Sequence, residues 1–533
     1  MLSPSRAAAQ AIAKLSAKAT NAFCARAAPT ASLTTRCARG PPRRHIFTRH
    51  GDPSPTRSKR GNISHRGMPT VVAIPENAER LMVKTPGFPD QAITVAWTSD
   101  IMYVQGADWD AVRPMWLMTL RDSCQCAKCR DPASGNKRYE ATEIPSALRI
   151  DGVRLVDAGL VVTFGNDIPW LADGDLATHE TLVPWRTLDV ALRRRGASEE
   201  SQAPRTRSIA AHTGIEYWDA ATLEGSVRQF DFGDFMRGGD TFWEAVVDLC
   251  RLGIVWLRDV PRDERSVAAV TTRIANVRET FYGRTFDVRA KPDAENVAYT
   301  SASLGLHQDL LYLSPPPLIQ VLHCMDNSCA GGESLFSDVH RAAALLWPYV
   351  QASSKLAPLA ELRIPYHYVN DGFSYRASRP VFDFTPADGV LVGVNWSPPF
   401  QAPHVFAGVD IHPWLQAARL FQSIFSAEDA VYSRKMRPGE CVIFNNQRVL
   451  HGRTAFDAGS GGSRWLRGAY IAPEDFNSRA AHIPTDLAAA RRGTTDLWSP
   501  TTAQKELRKT PWYEEVNRKV HSFDMALYSR MIW

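Results

Sequence analysis

A histidine and an aspartate two positions apart, His307 and Asp309, constrain this chain of 533 residues more than any other feature. They precede the strand-like run LIQVLHC (318–324). On an extended strand, residues two positions apart point to the same side, so an imidazole and a carboxylate in this pattern can bind one metal ion. A third ligand from a distant strand, His451, would complete a set of two histidines and one carboxylate. Such a set leaves coordination positions open and suits oxygen-activating Fe(II).

Chance alone can produce a His-x-Asp pattern. With 14 histidines and 56 acidic residues in the chain, about one or two His-x-Asp or His-x-Glu patterns are expected without function, and an ordinary core or surface histidine is the competing interpretation. Three neighbours favour the metal site: GGES (331–334), the strand-like run GECVIFNN before His451, and Arg464, which lies 13 residues beyond that histidine. An arginine on a neighbouring strand could bind a dicarboxylate such as 2-oxoglutarate through two parallel hydrogen bonds.

Five short motifs have a joint spacing that is highly specific. They are NVAYT (296–300), His307-x-Asp309, HC-x5-AGGES (323–334), FNN-x-R-x-LHGR (444–453) and SR-x-L-x-GAY (463–470). On these motifs the chain resembles the γ-butyrobetaine and trimethyllysine dioxygenases, a branch of the Fe(II)/2-oxoglutarate oxygenases related to taurine dioxygenase. The likeness extends from about residue 90 to about residue 480.

The resemblance implies a site for iron, cosubstrate and O2. It assigns His307, Asp309 and His451 as ligands of Fe(II), with three coordination positions left for 2-oxoglutarate and O2, and with ascorbate as the reductant. Arg464 would pair with the far carboxylate of 2-oxoglutarate, and Ser334 would donate a second hydrogen bond to it. The alternatives are a surface salt bridge for Arg464 and a plain turn residue for Ser334.

The resemblance also implies a trimethylammonium substrate. Such a cation cannot be hydrogen-bonded, so its recognition depends on aromatic faces. The family's cage positions fall on Tyr282, Phe286, Tyr299 and Tyr470, and Asn296 matches a residue that binds the substrate carboxylate. Core packing is the alternative interpretation of each aromatic residue.

Four positions depart from the family pattern. Phe286 replaces a Trp, Leu310 replaces a Tyr, Ser397 replaces a second carboxylate-binding Asn, and Gln447 replaces a Trp. The loss of a Tyr and an Asn weakens the expected recognition of a carboxylate, so the substrate is less constrained than the oxygenase chemistry.

We expect γ-butyrobetaine, hydroxylated to L-carnitine, as the leading substrate. Asn296 favours it, because an amino-acid substrate would need an acidic residue near its ammonium group. Trimethyllysine is the nearest alternative, and a mitochondrial presequence would favour it. An oxygenase of the same family that acts on another small metabolite is a further alternative. From a different class, the chain could be a non-catalytic, zinc-containing binding protein.

The first 51 residues contain seven Arg, two Lys and no Asp or Glu, and they are rich in Ala, Ser and Thr. This composition is typical of a mitochondrial transit peptide, so we expect the mitochondrial matrix, with a disordered basic tail as the alternative. Without this segment, 53 basic and 56 acidic residues remain. The remainder therefore gives no electrostatic indication of nucleic-acid binding. Since no stretch approaches 18 uninterrupted apolar residues, we expect no membrane span.

Three cysteines, Cys124, Cys126 and Cys129, lie within six residues of one another. Thiolates this close in an intracellular chain usually hold zinc, with free or redox-active thiols as the alternative. The next histidine before the polar stretch at 195–210 is His179, and the resemblance assigns the same four positions to zinc. Four protein ligands leave no open position, so this zinc would be structural.

Short strand-like runs with few helices predict a mainly β chain with helical insertions. For the catalytic domain the resemblance implies a double-stranded β-helix (jelly-roll), and a small zinc-binding β domain would precede it. The resemblance further implies a small-molecule substrate and a tendency to form homodimers. The expected divisions are a transit peptide or disordered segment 1–67, the zinc-binding domain 68–194, a linker 195–212, the dioxygenase domain 213–480 and a partly helical C-terminal extension 481–533.

Three helices of the catalytic domain are predicted with some precision. Two insertions are expected near 338–350 and 413–429. Apolar residues at spacings of three and four, from Val267 to Phe281, predict one further helix that begins after Asp263.

Overall fold

The computed structural model describes residues 73–86, 88–106, 112–172, 177–185, 187–188, 213–289, 301–370, 372–384, 391–403, 410–457, 461–490 and 506–530. The predicted transit peptide 1–67, the predicted linker 195–212 and the predicted substrate-binding residues Asn296 and Tyr299 lie outside these ranges. In the described ranges, no helix combines the length and the hydropathy that a membrane crossing requires.

The described residues between 73 and 188 form two antiparallel sheets, one with the order β1-β2-β3-β4 and one with the order β5-β6-β7. The strands are β1 Glu79–Thr85, β2 Phe88–Trp97, β3 Ile101–Gly106, β4 Arg113–Trp116, β5 Arg149–Val156, β6 Gly159–Gly165 and β7 His179–Pro184, and a short helix, α1 Leu117–Asp122, follows β4. One apolar core contains residues of both sheets, among them Val95, Val104 and Leu160. The small β domain predicted from the sequence therefore has its own core.

Two larger sheets follow, with the orders β10-β23-β12-β20-β9-β8 and β11-β21-β14-β19. The strands of the first are β8 Gln229–Asp231, β9 Ile254–Arg258, β10 Phe286–Arg289, β12 Ile319–Asn327, β20 Cys441–Asn445 and β23 Arg464–Ile471, and those of the second are β11 Leu304–His307, β14 Ser334–Asp338, β19 Tyr432–Arg434 and β21 Val449–Arg453. All pairings within these two sheets are antiparallel except that of β8 with β9.

The two larger sheets pack face to face. Val442 and Phe444 of β20 share one core with Phe336 of β14 and Val449 of β21, so this core lies between the sheets. The alternate residues of β20, Cys441 and Ile443, belong to a second core on the outer face of the six-stranded sheet. Because both faces of β20 are covered, its sequence is a continuous apolar run rather than an alternating one.

The outer face of the six-stranded sheet is covered by helices, and further helices and hairpins surround the smaller sheet. The helices are α2 Ala220–Ser226, α3 Phe232–Arg237, α4 Gly239–Leu252, α5 Ser266–Ile274, α6 Val339–Ala352, α7 Pro358–Glu361, α8 His412–Phe425, α9 Pro473–Ala480, α10 Thr485–Ala490 and α11 Pro511–Arg530. The hairpin strands are β13 Ala330–Gly331 with β22 Phe456–Asp457, β15 Ile364–Asn370 with β16 Phe373–Arg379, and β17 Phe382–Phe384 with β18 Leu391–Val394. The two predicted insertions are thus the helices α6 and α8.

The C-terminal extension contains the helix α11, which packs on the insertion helices. Val516 and Val520 join the core that α6 and α8 share. Trp512 Nε1 donates to Asp219 Oδ2 at 2.8 Å, and Tyr349 Oη donates to Asn517 Oδ1 at 3.0 Å. The extension is therefore part of the folded catalytic unit.

The helix predicted from Val267 to Phe281 is wrong in its second half. Asp263 Oδ1 accepts the backbone N–H of Ser266 at 2.9 Å, as expected for the start, but α5 ends at Ile274. From there the backbone is extended, and Val277 forms a β-bridge with Ile471 of β23. Pairing with the edge of the sheet replaces the helical hydrogen bonds, although the apolar spacing continues.

Candidate active site

The strands β11 and β21 bring the two predicted imidazoles side by side. His307 and His451 are direct partners across the antiparallel pair, and their ring centroids are 4.3 Å apart. Asp309 Oδ1 lies 3.2 Å from His307 Nε2, and Asp309 Oδ2 lies 3.8 Å from His451 Nε2. The three donor atoms lie within 4.8 Å of one another, so one ion can contact all of them.

The protonation of these groups suits metal binding. His307 Nδ1 lies 2.9 Å from the Gly305 carbonyl oxygen, which can only accept, so Nδ1 carries a proton and Nε2 is the nitrogen that faces Asp309. Burial and the nearby His307 lower the pKa of His451 to about 3, so this ring is neutral. Burial would raise the pKa of Asp309, but the two histidines and Tyr470 outweigh it and hold that pKa well below its usual range. A neutral His451 ring beside an ionised Asp309 carboxylate suits a metal ion.

The residue between the metal-binding pair, Gln308, is fully buried and is fixed by hydrogen bonds. Its Nε2 donates to the carbonyl oxygens of Val394 at 3.1 Å and of Gln447 at 3.0 Å. Its Oε1 accepts the backbone N–H of Trp396 at 2.7 Å. These bonds hold the His-x-Asp segment against the strands behind it, a role for Gln308 that the sequence motifs do not indicate.

The backbone around Asp309 is held in the same way. Ser397 Oγ donates to the Gln308 carbonyl oxygen at 2.7 Å. The amide of Asn446 accepts the N–H of Asp309 at 2.8 Å and donates to its carbonyl oxygen at 3.1 Å. The next residue, Leu310, has a φ of 58°, a left-handed conformation that a non-glycine residue adopts only when its surroundings hold it there. The hydroxyl of Ser397 therefore supports the metal-binding segment, whereas Gln447 contributes only its backbone carbonyl oxygen, which any residue at that position would supply.

Tyr470 connects the metal-binding carboxylate to the aromatic wall. Its hydroxyl donates to Asp309 Oδ2 at 2.7 Å. Its ring stacks on Phe286, with centroids 4.9 Å apart and an interplanar angle of 19°, and Tyr282 lies 5.8 Å from Phe286. The family motif assigns Tyr470 only to the aromatic cage. The hydrogen bond from its hydroxyl to Asp309 is a second contact, which the motif does not indicate.

Arg464 and Ser334 lie at the start of β23 and β14 and are both buried. Arg464 Nε donates to the Gly332 carbonyl oxygen at 3.3 Å, and the guanidinium forms no ion pair with a described residue. Burial lowers the pKa of Arg464, and a buried cation without a counter-ion is unfavourable, so the position favours an anionic ligand. Gly332 has a φ of 74°, and a Cβ there would lie only 3.0 Å from Arg464 Cδ. A glycine at 332 therefore leaves room for the arginine.

The site is one open cavity with about 700 Å³ of empty space. It contains the metal-binding triad, Arg464 and Ser334, and three of the four predicted aromatic residues, Tyr282, Phe286 and Tyr470. The other lining residues are Val288, Leu304, Leu310, Gln320, Leu322, Phe336, Phe400, Gly452, Arg453 and Leu466.

For three of these lining residues, Phe400, Arg453 and Gln320, the sequence predicts no contact with a ligand. The Phe400 ring lies 6.3 Å from the His307 ring, in a 3₁₀ turn that no motif marks. Arg453 is buried beside Arg464, and its pKa falls to about 10 through burial and the second cation. Gln320 lies on β12 within a run of apolar residues. A polar residue between the apolar pairs Leu318–Ile319 and Val321–Leu322 is the sequence signal for Gln320.

A second cluster lies in the small β domain. His179 Nε2 is 3.3 Å from the Sγ atom of Cys124, 3.6 Å from that of Cys126 and 3.4 Å from that of Cys129. All four donor atoms lie within 4.8 Å of one another. The structure thus brings together the three cysteines predicted from their spacing and His179, which the family resemblance assigns to the same site.

A fully buried ion pair lies behind this cluster. Arg121 Nε donates to both carboxylate oxygens of Asp167 at 2.8 Å, and Arg121 Nη1 donates to Cys129 Sγ at 3.4 Å. Asp167 Oδ2 lies 3.7 Å from His179 Nδ1, which has no hydrogen-bond partner among the described residues. The pair therefore lies against both a cysteine sulfur and the imidazole of the cluster.

Comparison with known proteins agrees with this geometry. The profile of the family described as "Taurine catabolism dioxygenase TauD, TfdA family" matches residues 216–470. The chain is 33% identical over 368 residues to "Dioxygenase str8" of Strobilurus tenacellus, and this alignment covers 66% of this chain and 81% of that protein. It is 28% identical over 369 residues to a γ-butyrobetaine dioxygenase of Pseudomonas sp. strain AK-1, with 69% and 90% covered. It is 24% identical over 415 residues to a trimethyllysine dioxygenase of Meyerozyma guilliermondii, with 75% and 94% covered.

Two facing antiparallel sheets, with two histidines and one carboxylate at one cavity, define the class of iron oxygenases that use a 2-oxo acid. Within this class, the chain belongs to the TauD/TfdA family and to its γ-butyrobetaine and trimethyllysine dioxygenase branch. It is a 2-oxoglutarate-dependent dioxygenase, and the predicted family, enzyme class and mainly β fold are confirmed.

Proposed function

We propose that the enzyme hydroxylates an unactivated C–H bond of a small trimethylammonium compound, with γ-butyrobetaine as the leading substrate and L-carnitine as its product. The observation that carries the proposal is the stacked pair Phe286 and Tyr470, whose tyrosine also hydrogen-bonds Asp309. A cation against this pair is held beside the metal-binding carboxylate. Each aromatic face contributes about 0.5–2 kcal/mol to such binding.

His307, Asp309 and His451 would hold Fe(II). Their nitrogen and oxygen donors fit this ion, and the set leaves positions open, as the enzyme class requires. When bound, Fe(II) supplies the redox chemistry that couples oxidative decarboxylation of 2-oxoglutarate, to succinate and CO2, to hydroxylation of the substrate by O2. Ascorbate would serve as the external reductant.

The chain's own contribution is orientation. Arg464 would bind the far carboxylate of 2-oxoglutarate, with Ser334 as a second donor, because both are buried in the cavity that contains the triad. The aromatic pair would fix the cationic end of the substrate, so that one carbon lies at the metal-binding side chains. Holding the reacting groups in this way replaces a bimolecular encounter by a positioned one.

A second candidate is an oxygenase of the same family that acts on another small metabolite. The hydroxyl of Ser397 already donates to the Gln308 carbonyl oxygen, and Leu310 presents an apolar side chain to the cavity. Neither position supplies the expected contact with a substrate carboxylate. Trimethyllysine remains the nearest alternative within the trimethylammonium class.

A substrate screen tests these proposals. The purified enzyme is supplied with Fe(II), ascorbate and 2-oxoglutarate, and succinate and a product heavier by one oxygen atom are measured for γ-butyrobetaine and for trimethyllysine. An isosteric acid with a quaternary carbon in place of the nitrogen shows whether the cation matters. We expect turnover of γ-butyrobetaine and little of the neutral isostere. Turnover of trimethyllysine alone, or equal turnover of the isostere, would contradict the leading assignment.

We also propose that the Cys124, Cys126, Cys129 and His179 cluster holds a structural zinc ion. Three thiolates and one imidazole suit zinc, and four protein donors leave no position for catalysis. Metal analysis of the purified chain should give one zinc per chain in addition to iron, and its absence would remove this proposal.

The localisation proposal rests on the sequence alone. An arginine-rich N-terminal segment without acids supports import into the mitochondrial matrix. A reporter fused to residues 1–67 should enter mitochondria, and a cytosolic reporter would refute the assignment.

A further inference from the structure

Gln320 is a buried polar residue of the cavity that no role described above accounts for. It lies on β12, is 2% exposed and lines the same cavity as the metal-binding triad. Its Oε1 is buried without a hydrogen-bond partner in the described part of the chain. Buried polar atoms in folded proteins are nearly always paired, so an unpaired amide on a cavity wall indicates a missing ligand group.

The neighbours of Gln320 explain why the protein itself leaves the amide unpaired. Its partners across the sheet are Phe444 on β20 and Tyr470 on β23. Phe444 has no polar side-chain atom, and Tyr470 donates its only hydroxyl proton to Asp309 Oδ2. An acceptor at Gln320 therefore finds no side-chain donor on either of these two neighbours.

The same two neighbours place Gln320 close to the reacting centre. The Phe444 ring lies 5.0 Å from the His451 ring, and the Tyr470 hydroxyl lies 2.7 Å from Asp309. Gln320 thus lies between two residues that each contact a metal-binding side chain. Arg464 and Ser334, at the start of their strands, are the groups proposed for the far carboxylate of 2-oxoglutarate, so Gln320 is available for another part of the bound molecules.

We propose that the Gln320 amide donates a hydrogen bond to a carboxylate or carbonyl oxygen of an organic acid bound in the cavity, and so positions that acid. A half-turn of the amide exchanges its oxygen and nitrogen, and so brings its two N–H donors to the position of the unpaired oxygen. The acid is 2-oxoglutarate or the substrate, and the second case rests on the function proposed above. Since Ser397 and Leu310 offer no donor to the cavity, Gln320 supplies a polar contact that those positions lack.

The test compares Gln320→Met with the unmodified holoenzyme. Methionine keeps the length of the side chain and removes the amide. In the first arm, binding of 2-oxoglutarate and its succinate-forming turnover without a second substrate are titrated. In the second arm, the KM for the hydroxylated substrate is measured at saturating 2-oxoglutarate. A lost hydrogen bond to a charged oxygen should raise the dissociation constant of 2-oxoglutarate, or the KM of the substrate, by about tenfold to a hundredfold, depending on which acid Gln320 contacts.

The melting temperature of the ligand-free protein separates this role from a structural one. Gln320→Met removes an unpaired buried amide, so we expect an unchanged or higher melting temperature together with weaker binding. Gln320→Glu should weaken binding further, because its carboxylate would repel the acid. Gln422→Met, on the exposed side of α8, is the matched control and should change neither quantity.

Each outcome decides the proposal. An increase in the first arm identifies 2-oxoglutarate as the contacted acid, even if no candidate substrate is hydroxylated and the proposed function fails. An increase in the second arm alone identifies the substrate. Unchanged constants in both arms overturn the role of Gln320, whatever the substrate is, and so does a lower melting temperature with unchanged binding.

Discussion

Tyr470→Phe separates the two contacts that the structure gives this tyrosine. The substitution removes the hydroxyl that donates to Asp309 Oδ2 at 2.7 Å. It keeps the ring that stacks on Phe286 at 4.9 Å. If the hydroxyl holds the metal-binding carboxylate and the ring holds the substrate cation, the variant should lose iron affinity but retain substrate affinity.

The magnitude follows from the kind of bond that is lost. A hydrogen bond to a charged acceptor stabilises by about 1.5–3 kcal/mol, which corresponds to about tenfold to a hundredfold in a dissociation constant. Residues that support metal ligands typically have effects of the same size when they are replaced, about 10–100-fold. The cation contact depends on the ring face, so the KM for a trimethylammonium substrate should change by less than about threefold.

Two titrations measure this difference. Succinate formation is followed against Fe(II) concentration at saturating 2-oxoglutarate, and then against substrate concentration at saturating Fe(II). We expect a higher Fe(II) requirement and a normal substrate KM for Tyr470→Phe. A normal Fe(II) requirement with a raised substrate KM would show that the hydroxyl serves the substrate, and the two-contact interpretation would be wrong.

Three further substitutions test the other parts of the site. Arg464→Met should weaken apparent binding of the cosubstrate 2-oxoglutarate by about a hundredfold, and Arg464→Lys should recover only part of the loss because it lacks the planar fork; normal cosubstrate binding by Arg464→Met would exclude the carboxylate contact. Gly468→Ala places a Cβ 2.3 Å from Phe286 Cζ, so the ring must move, and the KM for a trimethylammonium substrate should rise by about twofold to tenfold while that for a neutral isostere does not. Asp167→Asn should release zinc to a competing chelator about 10–100-fold more easily, whereas Asp151→Asn in the exposed pair with Arg149 should not; equal zinc retention would contradict a supporting role for the buried pair.

The features predictable from the sequence are those whose physical cause is local or periodic. The first four residues of β20, CVIF, are all apolar because both faces of the strand are covered, so it is recognisable as a strand. His307 and Asp309 are recognisable from their spacing, but the expectation that both lie on one strand is wrong, because β11 ends at His307 and Asp309 lies in the bend that follows it. The spacing of residues does not predict that His307 pairs with His451 across β11 and β21, because this pairing depends on which strands become neighbours in the sheet. Only the family resemblance led us to expect it.

The features that the sequence does not reveal depend on tertiary contacts. The apolar spacing after Asp263 continues to Phe281, yet the helix ends at Ile274 because the next residues pair with the edge of β23. The support of Gln308 by Val394 and Trp396 involves backbone atoms 86 and 88 residues away along the chain, and the backbone carries no sequence signal. Local propensity cannot predict either feature.

The departures from the family pattern have to be interpreted through the same contacts. From the sequence, Ser397 and Gln447 are lost ligand positions. In the fold, the Ser397 hydroxyl donates to the Gln308 carbonyl oxygen, so a change at Ser397 alters the support of the metal-binding segment, whereas Gln447 contacts Gln308 only through its backbone carbonyl oxygen. Of the four departures, Phe286 and Leu310 line the cavity. Substituting these two residues should change which compound is hydroxylated, whereas substituting Ser397 should change the iron requirement for every substrate alike.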